Sequence, residues 1–434
     1  MDRSLKIGAS NKFFYYALGD YNSFSVKLRL GIPNLEFERL KESFNEALGR
    51  YPELGVQVYI KDNKLVSRVN DKAIVFREYG SSPVYFGTDD TNGFLFYVLY
   101  GTDEITISYY HGLTDVSGMK EYVRCVMYLY SQKIGFELSR EELDELLPTI
   151  RESDSFEYSD DLLDPYTEYG DSGAVPEYIF DNQGAYKLPL KEDLTDEMYC
   201  HSSEIRFDFT PVLRKIRDLG VSVTPFMLDA VIKGIFSGFN VGDETVITML
   251  PVDMRKYFGS KNVVNFSDNV FLSFTAEDMK LPIDERCSRI KDLIKKQSSV
   301  GSFARLMGDK VKAVESFEKA PFPISEASSE DGVAENDGFN PLTVVTTYLG
   351  NMTLLSGLDR LINDMGVYGY ALGNATIISM YKDEVRVQIM TTSPEGSIAE
   401  AVYNGLVEEG YNPQMERNTR IYQDFMMLGR LYNE

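Results

Sequence analysis

Residues 104–118, EITISYYHGLTDVSG, constrain the fold and the chemistry of this chain more than any other stretch. Apolar and polar side chains alternate from residue 105 onwards with a period of two, which is typical of a half-buried strand. The pattern stops at His111-Gly112, which predicts a turn, and a long apolar segment begins after Asp115. One of only two histidines in the chain therefore lies where a predicted strand ends, a frequent position for catalytic groups.

His111 and Asp115 are four residues apart, among small or flexible neighbours. A histidine at a strand end can act as a general base near neutral pH, because its unperturbed pKa is about 6.5. It can also line a turn with its hydrogen bonds satisfied, which is the more frequent case for a lone histidine. Asp115 can orient His111, pair with a cation that holds the turn rigid, or cap the following helix. The residues themselves leave these alternatives open.

Other familiar sites are missing from the sequence. It contains no GxSxG elbow, phosphate-binding loop, GxGxxG fingerprint, HExxH pair or EF-hand loop. Cys125, Cys200 and Cys287 are far apart and form no CxxC pair, which favours a reducing cytoplasm over a disulfide framework or a metal site. Cys125 is expected in the core, and His201, which has no partner in sequence, is expected to be structural or exposed.

The length and charge of the chain limit its organisation and its partners. A chain of 434 residues is too long for one comfortable core, so we expect two domains or two large halves. The formal charge of -23 disfavours nucleic acid and anionic membrane surfaces as partners, although a local basic pocket could hold a phosphorylated ligand. No run of about 18 apolar residues is present, so we expect a soluble, cytoplasmic protein.

The hydrophobic pattern predicts alternating strands and helices in two halves. In residues 1–150 it predicts a strand region over 12–31, a helix over 35–48, hairpins within 56–69 and 94–110, and a helix over 117–132. Residues 151–200 are predicted to be an acidic connector between the halves, in a solvated stretch that begins near residue 137. In residues 201–434 the pattern predicts strands near 202–209, 244–250, 262–274 and 342–350, helices over 224–239, from 282 and over 398–409, and a hairpin about 382–384. Because the regular rhythm of a parallel sheet is absent, we expect an α+β fold.

Three segments in the same order resemble one known superfamily. His111 to Asp115 matches the HxxxD core of the HHxxxDG motif of chloramphenicol-acetyltransferase-like proteins, which include alcohol O-acetyltransferases and condensation domains. RYPELGVQV (50–58) resembles their RhPxL segment. PVDMRKYFG (251–259), followed by NVVNFSDNVFLSF (262–274), resembles their second-half arginine segment and the strand after it. The resemblance spans most of the chain and is greatest to the bacterial alcohol-acetyltransferase-like branch.

The resemblance implies a fold and a reaction. Each half would be a mixed β-sheet with flanking helices, and an active-site tunnel would run between them with His111 at its middle. An acyl thioester, expected to be acyl-CoA as co-substrate, would enter at one mouth and a small alcohol or amine at the other. His111 would deprotonate the acceptor, with no covalent enzyme intermediate and no permanently bound cofactor.

The resemblance also implies roles for other residues. Asp115 would be structural, paired with Arg255 across the two halves, and Asn269 would line the channel. Backbone N–H groups at Val116, Ser117 and Gly118 would stabilise the oxyanion. Two departures from the motif concern the site directly: Tyr110 stands for the first histidine, and Val116 stands for the glycine after the aspartate.

Two alternatives to a CoA-dependent enzyme remain open at this stage. A condensation-type enzyme would take its acyl group from an acyl carrier protein, although such carriers are usually acidic and a surface at -23 makes that docking less comfortable. The other alternative is a catalytically silent, condensation-like binding or scaffold protein.

Overall fold

The structure is a computed structural model that describes most of the chain. The described residues are 4–17, 22–32, 34–62, 64–81, 84–152, 160–176, 180, 184–188, 199–319, 342–371, 374–391 and 397–421.

The strands carry labels in chain order. They are β1 (Ser4–Leu5), β2 (Asn22–Leu30), β3 (Val56–Lys61), β4 (Lys64–Val69), β5 (Phe76–Glu78), β6 (Phe96–Tyr100), β7 (Glu104–Tyr110), β8 (Tyr199–Asp208), β9 (Val246–Asp253), β10 (Ser267–Phe274), β11 (Val344–Asn351), β12 (Ile362–Ala371), β13 (Ala375–Tyr381), β14 (Glu384–Thr391) and β15 (Gln414–Ile421).

The helices are named by their residues. The α-helices are Ala9–Ala17, Phe37–Arg50, Val116–Lys133, Arg140–Leu146, Asp160–Leu163, Pro165–Tyr169, Phe209–Leu219, Val223–Gly238, Arg255–Phe258, Ile283–Gln297, Val300–Phe317, Ser356–Asp359 and Ser397–Glu408. Short 3-10 helices span Pro52–Leu54, Asp89–Thr91, Leu147–Thr149 and Asp278–Lys280. Among the described helices none alone is long and apolar enough to cross a membrane; Phe209–Leu219 and Val223–Gly238 meet that requirement only as a pair, bent by 105°.

The described strands form three sheets. One sheet has the order β12-β2-β7-β6-β5, a second has the order β10-β9-β11-β13-β14-β8-β15, and a small third sheet has the order β1-β4-β3. Both larger sheets are mixed, because β5 pairs parallel with β6, and β11 pairs parallel with β9 and β13. The predicted α+β class with two sheet-based halves is therefore confirmed.

One strand crosses from the second half of the sequence into the first sheet. β12 pairs antiparallel with β2, from Ile362 opposite Leu30 to Ala371 opposite Asn22. The sheet that contains β7, and therefore positions His111, is completed by this late strand. The halves of the fold are thus joined by backbone hydrogen bonds as well as by side-chain contacts.

Two large hydrophobic cores support the larger sheets. The first contains the buried face of the Phe37–Arg50 helix, where Leu40, Phe44 and Ala47 follow one another at helical spacing. It also contains Cys125, which is fully buried as predicted. The second core is built around the apolar Val223–Gly238 helix and the inward faces of β8, β9, β10 and β14.

The predicted hairpins within 56–69, within 94–110 and about 382–384 are confirmed as antiparallel pairs. The predicted strand over 12–31 is wrong in its first part, where Ala9–Ala17 is a helix. Phe13, Phe14, Tyr15 and Tyr16 are consecutive and bulky, so their order carries neither a strand nor a helix period.

The acidic stretch that begins near residue 137 is less solvated than its composition indicated. Tyr166 is only 2% exposed in the second core. The Asp164 carboxylate accepts a hydrogen bond from the Ala9 backbone N–H at 2.8 Å. Residues 191–197 and 325–340 are also rich in acidic side chains, and both segments lie outside the described residues.

Candidate active site

His111 begins a tight turn directly after β7. The Leu113 N–H donates to the Tyr110 carbonyl oxygen at 2.9 Å. The buried Asn11 side-chain amide donates to the carbonyl oxygens of Gly112 and Leu113, at 2.6 and 3.0 Å. A Cβ on Gly112 would lie only 2.3 Å from the Tyr110 ring, so glycine is required by the close approach. These contacts fix the backbone that carries His111.

The imidazole ring of His111 is held between two phenylalanines. The ring centroid of Phe14 lies 4.5 Å away and that of Phe24 lies 4.6 Å away. Phe14 comes from the Ala9–Ala17 helix and Phe24 from β2, so packing from two elements restricts the rotation of the ring. Nothing in the sequence indicates this pair, because its pattern predicts a strand at Phe14 where the structure has a helix.

The contacts of Nδ1 identify the tautomer of His111. Nδ1 lies 3.2 Å from the Thr114 carbonyl oxygen and 3.3 Å from Asn265 Nδ2. A carbonyl oxygen only accepts hydrogen bonds, so the shorter contact, with Thr114, requires a proton on Nδ1, and the Asn265 amide donates to the His111 carbonyl oxygen at 2.8 Å. We therefore assign the proton to Nδ1, which leaves the lone pair of Nε2 able to accept a proton.

Burial lowers the pKa of His111 below its ordinary value of 6.5, and the Thr114 carbonyl and the Asp115 carboxylate oppose this shift without cancelling it. The imidazole is therefore predominantly neutral at pH 7. A neutral imidazole with an open Nε2 is the form that a general base needs.

The Asp115 carboxylate accepts four hydrogen bonds. Oδ1 accepts from the Gly118 N–H at 2.8 Å and from Arg255 Nη2 at 3.0 Å. Oδ2 accepts from Arg255 Nη1 at 3.0 Å and from the Phe266 N–H at 2.9 Å. Asp115 thus caps the Val116–Lys133 helix and binds Arg255 with both oxygens.

Arg255 uses all five of its guanidinium N–H groups. Besides the two that bind Asp115, one donates to the Asn262 carbonyl oxygen at 2.8 Å, one to the Val264 carbonyl oxygen at 2.7 Å and one to Asp253 Oδ1 at 3.0 Å. The expected contact between Asp115 and Arg255 is therefore present. Its geometry is that of a brace between the turn after β7 and the segment after β9, with no Asp115–His111 bond among the described contacts.

Asn265 is the polar residue that sequence reasoning missed. It is fully buried, and its amide bonds the His111 backbone across 154 residues of sequence. Asn269, the predicted channel residue, lies on β10 and is not in the described lining of the cavity at His111. The resemblance indicated the right segment, NVVNFSDN, but this segment contains three asparagines with no pattern to choose among them.

A cavity of about 350 Å³ reaches His111. Its described lining consists of Phe24, His111, Asp115, Val116, Ser117, Lys120, Glu121, Pro251, Asp253, Arg255, Ser267, Thr347, Tyr348, Leu349 and Met352. The volume lies at the lower end of the usual range for small-molecule sites. The expectation that this space continues as a channel open at both ends remains a prediction.

The N-terminus of the Val116–Lys133 helix borders the same cavity. The Gly118 N–H is already engaged by Asp115, and no acceptor for the Val116 and Ser117 N–H groups occurs among the described residues. A Cβ on Gly118 would lie 2.2 Å from the Val263 carbonyl oxygen, so the helix approaches the second half closely here. Two open N–H groups at a helix start form a site that favours negative charge.

In the described part of the chain no group of three or more His, Cys, Asp or Glu side chains is arranged to hold a metal ion.

No protein-family model and no curated protein matches the chain, but solved structures do. Fusarium sporotrichioides TRI101 complexed with coenzyme A and T-2 is similar with a TM-score of 0.58 at 11% identity, over 97% of this chain and 100% of that one. TRI3 trichothecene 15-O-acetyltransferase from the same organism has a TM-score of 0.58 at 11% identity, over 93% and 94%. The epimerization domain from the third module of tyrocidine synthetase B has a TM-score of 0.61 at 12% identity, over 94% and 96%.

These likenesses cover nearly the whole of each chain, and at such identities they establish the fold. The chain therefore shares its fold with TRI101, with TRI3 trichothecene 15-O-acetyltransferase and with this epimerization domain, which confirms the two-sheet fold that its resemblance to chloramphenicol-acetyltransferase-like proteins implied.

Proposed function

We propose that this protein transfers an acyl group from a thioester to a hydroxyl or amine acceptor. The observation that carries the proposal is the state of His111: a ring fixed by two phenylalanines, protonated at Nδ1 by our assignment, and lining a cavity of about 350 Å³. This arrangement supports a general base far better than it supports a histidine that merely closes a turn.

In the proposed reaction His111 acts first as base and then as acid. Nε2 takes the proton of the acceptor O–H or N–H as the acceptor attacks the thioester carbonyl carbon. The tetrahedral oxyanion then re-forms the carbonyl and the C–S bond breaks. The leaving thiolate receives the proton from Nε2, so the protein ends unchanged and no acyl group becomes bound to it.

The oxyanion is the charge that the site must stabilise. We assign this role to the N–H groups of Val116 and Ser117, because the Gly118 N–H is committed to Asp115. Asp115 and Arg255 support the turn and take no part in proton transfer. Asn269 remains a candidate for the channel wall further along β10.

Acyl-CoA is the proposed donor, because a solved neighbour is complexed with coenzyme A and T-2. A carrier-protein donor remains a second candidate, since the epimerization domain of a peptide synthetase is also similar. The proposed location is the cytoplasm, which the free, buried thiols of Cys125 and Cys287 support. The division into residues 1–150, 151–200 and 201–434 is likewise kept as a proposal.

A panel of donors and acceptors tests the function. Acetyl-CoA and longer acyl-CoAs are mixed with alcohols and amines, free thiol is measured, and acylated acceptor is identified by mass spectrometry. The expected result is acceptor-dependent thiol release, with no acyl adduct on the intact protein in a quenched reaction. If acyl-CoAs give no thiol release, acyl groups linked to a carrier protein are tried as donors. No thiol release with either class of donor favours the scaffold alternative.

A further inference from the structure

Lys120 lies on the wall of the cavity that contains His111. It belongs to the Val116–Lys133 helix, about one turn beyond the Asp115 cap. Its Nζ donates a hydrogen bond to the Asn351 carbonyl oxygen at 2.8 Å, at the end of β11. A lysine is thus held in the same space as the proposed base.

The other charges that line the cavity have partners of opposite sign. Asp115 and Asp253 both bind Arg255, and Glu121 binds Arg124 on its own helix. Among the described residues no carboxylate lies within 4.0 Å of Lys120 Nζ. Lys120 is therefore the charge in the described lining that lacks an opposite partner.

The ammonium group of Lys120 has unused hydrogen-bonding capacity. It carries three donors, and its recorded bond to the Asn351 carbonyl uses one of them. Burial lowers the pKa of Lys120 to about 8, and Arg124 acts in the same direction, while Glu121 and Asp359 oppose the shift. A cation that has lost part of its hydration gains strongly from an anionic partner.

We propose that Lys120 binds a carboxylate carried by the substrate, on the acceptor or at the far end of the acyl chain. The inference rests on the acyl transfer proposed above and names the substrate class. Phe24, Val116, Leu349 and Met352 provide apolar surface in the same cavity. The substrate expected here has a small apolar body and one anionic oxygen group.

A structural role for Lys120 predicts different behaviour. The pairing of β11 with β13 shifts register between Tyr348 and Gly350, just before Asn351, so the lysine could simply hold the strand end in place. Removing such a clamp would impair every substrate to the same degree. A contact with a phosphate of coenzyme A would impair CoA thioesters and spare donors without phosphates.

The test compares kcat/KM within matched pairs of substrates. The acceptor pair is 6-hydroxyhexanoate and 6-hydroxyhexanamide, with acetyl-CoA as the donor. The donor pair is succinyl-CoA and butyryl-CoA, with 1-hexanol as the acceptor. A third pair compares acetyl-CoA with S-acetylpantetheine as donors, again with 1-hexanol as the acceptor. The proteins are wild type, Lys120→Met, Lys120→Arg and the control Lys133→Met. Lys133 lies on the same helix and pairs with Glu46 outside the cavity.

The proposal expects Lys120→Met to lower the ratio of carboxylate to neutral substrate at least tenfold in the acceptor pair or the donor pair. Lys120→Arg should keep most of the preference, and Lys133→Met should keep all of it. Three results would overturn the proposal. The ratios of kcat/KM within the pairs stay unchanged in Lys120→Met, kcat/KM falls equally for all substrates, or kcat/KM falls only for CoA thioesters relative to the pantetheine thioester.

A binding measurement separates this site from the reaction. The imidazole signal of His111 is followed by NMR while hexanoate or hexanamide is added to wild type and to Lys120→Met. A shift with hexanoate that Lys120→Met abolishes supports the carboxylate site even if no thiol is released, so that only the proposed reaction fails. An identical response to hexanoate and hexanamide overturns the carboxylate site independently of turnover.

Discussion

Arg255 donates one N–H to each oxygen of Asp115, both at 3.0 Å, across 140 residues of sequence. The same carboxylate accepts the Gly118 N–H and the Phe266 N–H, so it connects the start of one helix with the segment that leads into β10. The turn that carries His111 is thereby fixed to the second half of the molecule. Stability and activity should depend on this contact together.

Asp115→Ala should destabilise the protein by about 3–5 kcal/mol, because it leaves the guanidinium of Arg255 largely buried without its main partner. Urea unfolding measures this loss. Asp253→Ala is the matched control: its carboxylate binds the same arginine but is 41% exposed, so a loss below about 1 kcal/mol is expected. An Asp115→Ala protein with the stability and activity of wild type would rule out the brace.

His111 should titrate below pH 6.5, because burial favours its neutral form in the folded state. As pH falls below 6.5 the unfolded chain takes up the proton first, so this residue makes the protein less stable toward acid. The chain has two histidines, so imidazole NMR with His111→Gln and His201→Gln assigns both signals. kcat/KM should fall only at pH values below the pKa of His111, where the imidazole is protonated. A midpoint at or above 6.5 contradicts the assignment.

Asn265→Ala should lower kcat about tenfold or more, because it removes the amide that holds the His111 backbone in place. It also leaves the buried His111 carbonyl oxygen without this donor, which should lower the free energy of unfolding by about 1–3 kcal/mol. A positioning role also predicts a changed imidazole NMR signal for His111 in the folded variant. Asn269→Ala is the control, because Asn269 is not in the described lining of the cavity. It should change kcat less than about threefold, whereas a tenfold change corresponds to about 1.4 kcal/mol. Equal effects of the two substitutions would return Asn269 to the site.

Gly118→Ala should destabilise the protein by about 1–3 kcal/mol, because the added Cβ would meet the Val263 carbonyl oxygen at 2.2 Å. Gly301→Ala is the control, since it adds the same atom to another helix where nothing lies within 4 Å. That control should stabilise the protein by up to about 1 kcal/mol. If both variants unfold at the same urea concentration, the close approach at Gly118 is not real.

The sequence predicted the local elements well and most of the distant contacts poorly. β6, β7 and the Val116–Lys133 helix have clear periods, and their prediction needed only neighbouring residues. The contact between Asp115 and Arg255 became predictable only through the family resemblance. The pairing of β12 with β2 joins distant parts of the chain, and no local pattern encodes it.

The residues around His111 show the same limit at the site. Four aromatic residues in succession have no period, so the sequence does not predict the helix that carries Phe14, and a strand at that position does not predict its contact with the imidazole. Asn265 and Asn269 are the same type of residue and lie in one segment, so the sequence alone does not distinguish them. Only the path of the backbone between β9 and β10 decides which of them reaches His111.

The most direct test of the proposed base compares thiol release by wild type, His111→Ala and His201→Ala, using the acyl-CoA donor and acceptor that give the highest rate. Loss of a general base lowers the rate by about 10²–10⁴-fold. The account predicts a loss of this size for His111→Ala in a protein that remains folded, and a rate close to wild type for His201→Ala. Thiol release by His111→Ala equal to that of wild type would contradict it.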